Sequence, residues 1–251
     1  MTAVLAEIHR YPLKSHGREA LPRVQLLQGQ AMPWDRRWAV AHEAARLRPG
    51  EWAACSNFSR GAKAPALMAI EASLDEPRGQ LTLTHPERPA ITFAPEDERD
   101  VARFIDWVLP LCPADRARPV GVHALPGRGV TDTDYPSVSI ISLASNRALG
   151  DHFGAEISPL RWRANLWLDA PTPWAERDWI GRHLRIGDAV LQIVEPIVRC
   201  LATAANPHTG QRDLDTLGGL KALHGEAVFG LYAKVIESGE IRVRDKVEIL
   251  A

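Results

Sequence analysis

The residue with the most chemistry within reach is Cys200. It follows the apolar run Ala189–Val198, comes directly after Arg199, and precedes the turn-prone segment Asn206-Pro-His-Thr-Gly210. A thiol at the mouth of a strand beside a guanidinium offers, as its thiolate, both a nucleophile and a soft metal ligand. The competing reading is a small, buried, inert hydrophobe. A second cluster is Tyr11-Pro-Leu-Lys14-Ser15, where an ammonium and a hydroxyl at a loop suit a phosphate or another anion. A solvated turn lysine is the alternative. The third is Arg161-Trp-Arg163-Ala-Asn165; on a strand, these three polar side chains fall on one face, because side chains alternate. If that face is buried it needs an anionic or strongly hydrogen-bonding partner, and if it is exposed the groups are simply solvated. Asp35-Arg36-Arg37-Trp38 adds a fourth basic site. The histidines show neither HxH nor HExxH spacing, and no phosphate-loop glycine pattern or GxSxG elbow occurs.

Short β-branched or alternating runs must position these groups: 3–8, 37–41, 67–74, 80–84, 138–141, 163–168, 189–194 and 227–236. Most of the 18 Gly and 19 Pro fall between them and mark turns. The strongest helix is expected over 96–109. Acidic residues crowd its first turn, Val101, Phe104, Ile105 and Val108 recur at helical spacing, and Pro110 stops it. Further helices are expected over 142–152 and 216–224. HLRIGDAVLQIV and EIRVRDKVEIL both read as strand, tight turn, strand. The Pro- and charge-rich CPADRARP suggests a boundary near 112–122, with a smaller α/β unit before it and a closed or nearly closed barrel after it.

The chain has 251 residues, 45% hydrophobic and 24% charged, which is ordinary globular usage. Thirty Lys+Arg against 31 Asp+Glu leave a net charge of -1, so no whole-protein basic field points to nucleic acid. Three scattered cysteines form neither a disulfide framework nor a thiolate zinc site, and Cys55 and Cys112 have less support for a role than Cys200. No apolar run is long enough to span a membrane, and the N-terminus lacks signal-peptide features. The expectation is a cytoplasmic protein with reduced thiols.

YPLKS, GQAMPWDRRW, SIISLASNRAL, RWRANLWLD, PWAERDWIG and IVRCLATAANPHTG occur in the order found in the MOSC family, which this chain resembles over nearly its whole length. The resemblance implies a β-rich α/β protein: a MOSC N-terminal β-barrel-like domain over 1–118 and a MOSC β-barrel domain over 119–251. It also implies molybdenum cofactor (molybdopterin) as ligand, with pyridoxal phosphate not expected to be retained. By the family pattern, Cys200 ligates molybdenum or carries sulfur. Lys14 and Ser15 hold the pterin and its phosphate, and Arg36 matches the arginine of the DR-x-W segment. Arg161, Arg163 and Asn165 line the pocket, and Arg199 and Thr203 flank the cysteine. The chain departs from the pattern at Ile197, at ATAAN after the cysteine, and at Arg244-Asp245 in the final turn.

The activity implied is reduction of N-hydroxylated compounds; the alternatives are a Cys200 persulfide carrier and a non-catalytic cofactor-binding module. The implied partners are a small-molecule substrate and separate flavin or iron–sulfur electron donors, because the chain has no ferredoxin-like cysteine set or flavin fingerprint. Nucleic acid and membrane are not expected partners. A shared site requires Lys14 or Arg36 to face the same cleft as Cys200. A lysine kept for an absent anion is also expected to leave the stability of the apo-protein unchanged when replaced.

Overall fold

The computed structural model describes residues 3–250. The chain opens with β1 (Ala3–Arg10), β2 (Leu13–Lys14), β3 (Glu19–Leu21), β4 (Arg23–Leu26) and β5 (Trp38–His42). A meander of β6 (Glu71–Asp75), β7 (Gln80–His85) and β8 (Arg88–Phe93) leads into α1 (Glu98–Val108) and β9 (Pro119–Ala124). Then come β10 (Val138–Ser142), α2 (Leu143–Phe153), β11 (Leu166–Asp169), β12 (His183–Ile186) and β13 (Ala189–Val198). The chain closes with α3 (Thr216–His224), β14 (Val228–Glu237), β15 (Gly239–Arg242) and β16 (Lys246–Leu250).

Seven strands form a closed barrel in the order β11-β10-β14-β13-β12-β16-β1, with β1 returning to pair with β11. Alternation fills its interior: Leu231, Ala233 and Val235 of β14 face Val138, Ile140, Leu191 and Ile193, while the residues between them face out. Closure leaves no exposed edge, and the stave that completes it comes from the first ten residues. The division expected at 118/119 therefore does not follow the sheets. β1 belongs to the barrel, and β9, just past the boundary, pairs with β5. Beside the barrel, β2-β5-β9 and the meander share a second core with α1, in which Phe93 and Phe104 stack at 4.5 Å.

Three local expectations need correction. The run 67–74 is a 3-10 turn over Pro65–Ala69 followed by β6, because Pro65 favours a tight helical start. The strongest helix begins at Glu98, where Asp97 caps the amides of Arg99 and Asp100. EIRVRDKVEIL is strand, turn, strand as read, but its strands do not pair with each other as a tight turn suggests: β15 pairs with β4, while β16 pairs with β12 and β1. Arg244, at φ 81, makes that bend.

Candidate functional site

The barrel's outer wall is the floor of a cavity of about 370 Å³. Tyr232 lies opposite Ser139 on one side and Glu195 on the other, and all three line the cavity. Cys200 follows β13 and opens the 3-10 turn Leu201–Ala204; its thiol is exposed and unpaired. Thr203 lines the cavity too, but its hydroxyl donates to the Cys200 carbonyl and meets Thr216 Oγ1 at 2.6 Å. It fixes the turn that carries the thiol.

Lys14, Ser15 and Arg36 from the first part of the chain line this same cavity, together with Arg161, Arg163, Arg199 and Cys200. Ser15, Arg36 and Arg163 have φ of 64, 50 and 50, three of the six non-glycine residues with positive φ among the described residues. Backbone held in that region by its surroundings concentrates at functional sites. The strand geometry expected for Arg161, Arg163 and Asn165 is corrected by these torsions. Pro159–Trp162 is a 3-10 turn, Arg163 is left-handed, and β11 starts only at Leu166. Alternation does not apply there, so the two arginines reach the cavity from a turn while Asn165 points into the protein. Asn165 is 1% exposed; its Oδ1 accepts from the amide and hydroxyl of Ser139, and its Nδ2 donates to the His9 carbonyl. It clamps β10 to β1 and does not line the cavity.

The cations differ in what they hold. Lys14 Nζ lies 2.6 Å from Asp132 Oδ1 and donates to the Val130 carbonyl at 2.8 Å. Arg36 is paired with Asp35 and donates to the Arg163 carbonyl. Arg161 is paired with Asp213 at 2.7 Å. Arg163 instead donates to the Gly17 carbonyl and lies 4.4 Å above the Tyr11 ring. Arg199 donates to the carbonyls of Phe229 and Trp162, and its Nη2 is buried without a partner. Gly230, at φ 81, makes room for it, since a Cβ there would sit 3.0 Å from that Nη2. Burial lowers Arg163 and Arg199 to about 10, against weaker opposing effects from Tyr11 and Tyr232, so both stay charged at neutral pH. Burial alone would raise the Asp132 carboxyl, but Lys14, Arg36 and Arg163 together hold it well below the usual carboxylate range.

Asp132, Tyr232, Glu195, Cys55 and Arg60 also line the cavity and were not anticipated there. Tyr232 could have been found, because the alternation of β14 turns it outward from the barrel. Asp132 lies in Thr131-Asp-Thr-Asp-Tyr-Pro136, which reads as an ordinary turn. Arg60 Nη1 donates to Cys55 Sγ at 3.0 Å, while Cys112 lies apart, against the core of the second unit.

Among the described residues, no three His, Cys, Asp or Glu side chains converge as a metal cage. Of the two lining cysteines, Cys55 accepts from Arg60 and Cys200 is the exposed one, so a metal held by Cys200 must bring other ligands with it. The donor set fits such a group: an exposed thiol, an unpartnered buried guanidinium nitrogen, and two cations with no carboxylate on them.

Residues 2–108 match the family model described as the MOSC N-terminal beta barrel domain, and residues 129–248 match the MOSC domain model. The chain belongs to the MOSC family. It is 33% identical over 94 residues to the molybdenum cofactor sulfurase of Drosophila grimshawi, a match covering 37% of this chain and 12% of that protein. It is 30% identical over 133 residues to mitochondrial amidoxime-reducing component 1 of Mus musculus, covering 48% of this chain and 38% of that protein. The chain thus matches only a minor part of the length of either MOSC relative. Among solved structures, the YUAD protein from Bacillus subtilis aligns with a TM-score of 0.48 at 12% identity, covering 99% of this chain and 96% of that one. YiiM from Escherichia coli aligns with a TM-score of 0.34 at 22% identity, covering 45% and 54%. No helix of the described residues is long and apolar enough to cross a membrane.

Proposed function

We propose that this MOSC protein binds molybdenum cofactor in the Cys200 cavity and acts as an oxidoreductase on N-hydroxylated compounds. The observation that carries this reading is the exposed Cys200 thiol facing one cavity with the carbonyl-held Arg163 and Arg199. Cys200 Sγ would ligate the metal, for which a soft thiolate is suited. Arg163 and Arg199 would receive the pterin phosphate through charge-assisted hydrogen bonds, and the Ser15 hydroxyl would meet the pterin's polar edge. When bound, the cofactor supplies two-electron chemistry at its metal, and the protein contributes binding, orientation and electrostatics. Reduction of an N–OH group takes two electrons and two protons and releases water. The electrons would come from a separate flavin or iron–sulfur protein.

A second reading, a Cys200 persulfide that hands on sulfur, is favoured by the exposure of that thiol. Metal and sulfur analysis of gently purified protein tests both. Stoichiometric molybdenum with pterin, lost in Cys200→Ala and kept in Cys112→Ala, supports cofactor binding. Cyanide-labile sulfur without molybdenum supports the carrier. Molybdenum retained in Cys200→Ala overturns the ligand assignment. Turnover of an N-hydroxylated amidine with a chemical reductant separates a reductase from a binding module without activity.

A further inference from the structure

Six cationic side chains line the cavity (Lys14, Arg36, Arg60, Arg161, Arg163 and Arg199), against two carboxylates, Asp132 and Glu195. Glu195 accepts from the Tyr135 hydroxyl at the cavity's edge, and Arg36 and Arg161 are neutralised by Asp35 and Asp213. Asp132 is therefore the one lining carboxylate set against a lining cation, Lys14, at 2.6 Å. The two partners are held very differently. Lys14 is buried and keeps a second tie, to the Val130 carbonyl, so it stays in place if Asp132 leaves. The Asp132 side chain is 43% open, and what opens beside it is the cavity. Its backbone neighbours are fixed by Arg128, which donates to Thr131 Oγ1 and to the carbonyls of Thr133 and Asp134. A fixed, buried cation faces a half-open carboxylate on a fixed backbone.

We propose that Asp132 is the cavity's resident counter-anion: it neutralises Lys14 until a phosphate group enters, then moves aside, and so sets how tightly tetrahedral anions bind there. A small anion that reaches only Lys14 gains no more than the carboxylate it displaces and is repelled by that carboxylate nearby. A phosphate that spans Lys14 and the carbonyl-held guanidiniums of Arg163 and Arg199 gains contacts the carboxylate does not make. The proposal rests on the anion-binding half of the functional reading above and not on its redox half.

The test is calorimetric titration of apo-protein with inorganic phosphate and, separately, sulfate. Asp132→Asn keeps the shape and an acceptor for Lys14 while removing the charge. It should bind phosphate at least roughly tenfold more tightly than wild type and gain affinity for sulfate by a similar factor. Asp134→Asn, two residues along the same turn, should match wild type. Unchanged or weaker phosphate binding in Asp132→Asn, or an equal gain in Asp134→Asn, overturns the proposal. Should Asp132→Asn fail to fold, Asp132→Ser removes the same charge and carries the same expectation. Molybdenum content, measured separately on purified protein, reports on the cofactor reading, so the two failures are distinguishable.

Discussion

The two walls of the cavity use positive charge in opposite ways. On the wall built from the first forty residues, Lys14 and Arg36 each meet a carboxylate, so they add little field for a visiting anion. On the wall built from the turn before β11 and the end of β13, Arg163 and Arg199 are tied to backbone carbonyls, which fix a guanidinium without cancelling it. The second wall also carries Arg161, but that guanidinium is paired with Asp213, so counting basic residues does not measure either wall. Their partners rank them: the carbonyl-held guanidiniums are open to an incoming anion from the start, and Lys14 joins only when Asp132 gives way.

The largest expected effect sets Arg199→Met against Arg36→Met. Arg199→Met should weaken phosphate binding by about 10- to 100-fold, the worth of one charge-assisted hydrogen bond at 1.5–3 kcal/mol. Arg36→Met should change phosphate affinity only a few-fold. It should instead destabilise the protein by about 3–5 kcal/mol, because the wholly buried Asp35 carboxylate loses its cation and keeps only the Tyr11 amide. Calorimetry and denaturant unfolding on both variants decide it, and exchanged outcomes would break the comparison of the walls.

Acid should loosen one wall before the other. His16, next to Ser15, is fully buried; its Nδ1 donates to the Lys14 carbonyl and its Nε2 has no partner. Burial pushes it down from 6.5 to about 4. The unfolded chain therefore takes up this proton at a higher pH than the folded one. Stability falls as pH drops from about 6.5 to about 4 and levels off below, a loss on the order of 3 kcal/mol. Arg163 and Arg199, near 10, do not titrate in that window. His16→Gln should flatten this part of the pH–stability curve, and an unchanged slope would remove His16 as its source.

Much of the fold was legible because its signals are local. The run 227–236 gave β14, the acidic first turn and apolar spacing within 96–109 gave α1 to within two residues, and Thr216–His224 is α3 as expected. Barrel closure by β1 was not legible, since pairing with β11 is a contact between distant parts of the chain. The sequence RWRAN alternates like a strand, and only the packing that holds Arg163 at φ 50 makes it a turn. Family motif order brought Lys14, Arg36 and Cys200 to one site. It carried no sign of Asp132, whose role depends on which ammonium it faces.

That pair argues against the expectation that replacing Lys14 leaves the stability of the apo-protein unchanged. Lys14→Met removes both the ion pair with Asp132 and the bond to the Val130 carbonyl. The cost is smaller than for Asp35 because Asp132 opens onto the cavity and is rehydrated there, so about 1–2 kcal/mol of stability should be lost. Lys14→Arg keeps the charge but places a flat guanidinium in a slot shaped for an ammonium, and should cost less. Adding Asp132→Asn to Lys14→Met should restore part of the loss, since no unpaired carboxylate then remains. Denaturant midpoints of the three variants check this. A Lys14→Met protein as stable as wild type would mean that the Lys14–Asp132 pair adds nothing to the fold, and the two walls would then differ in anion binding alone.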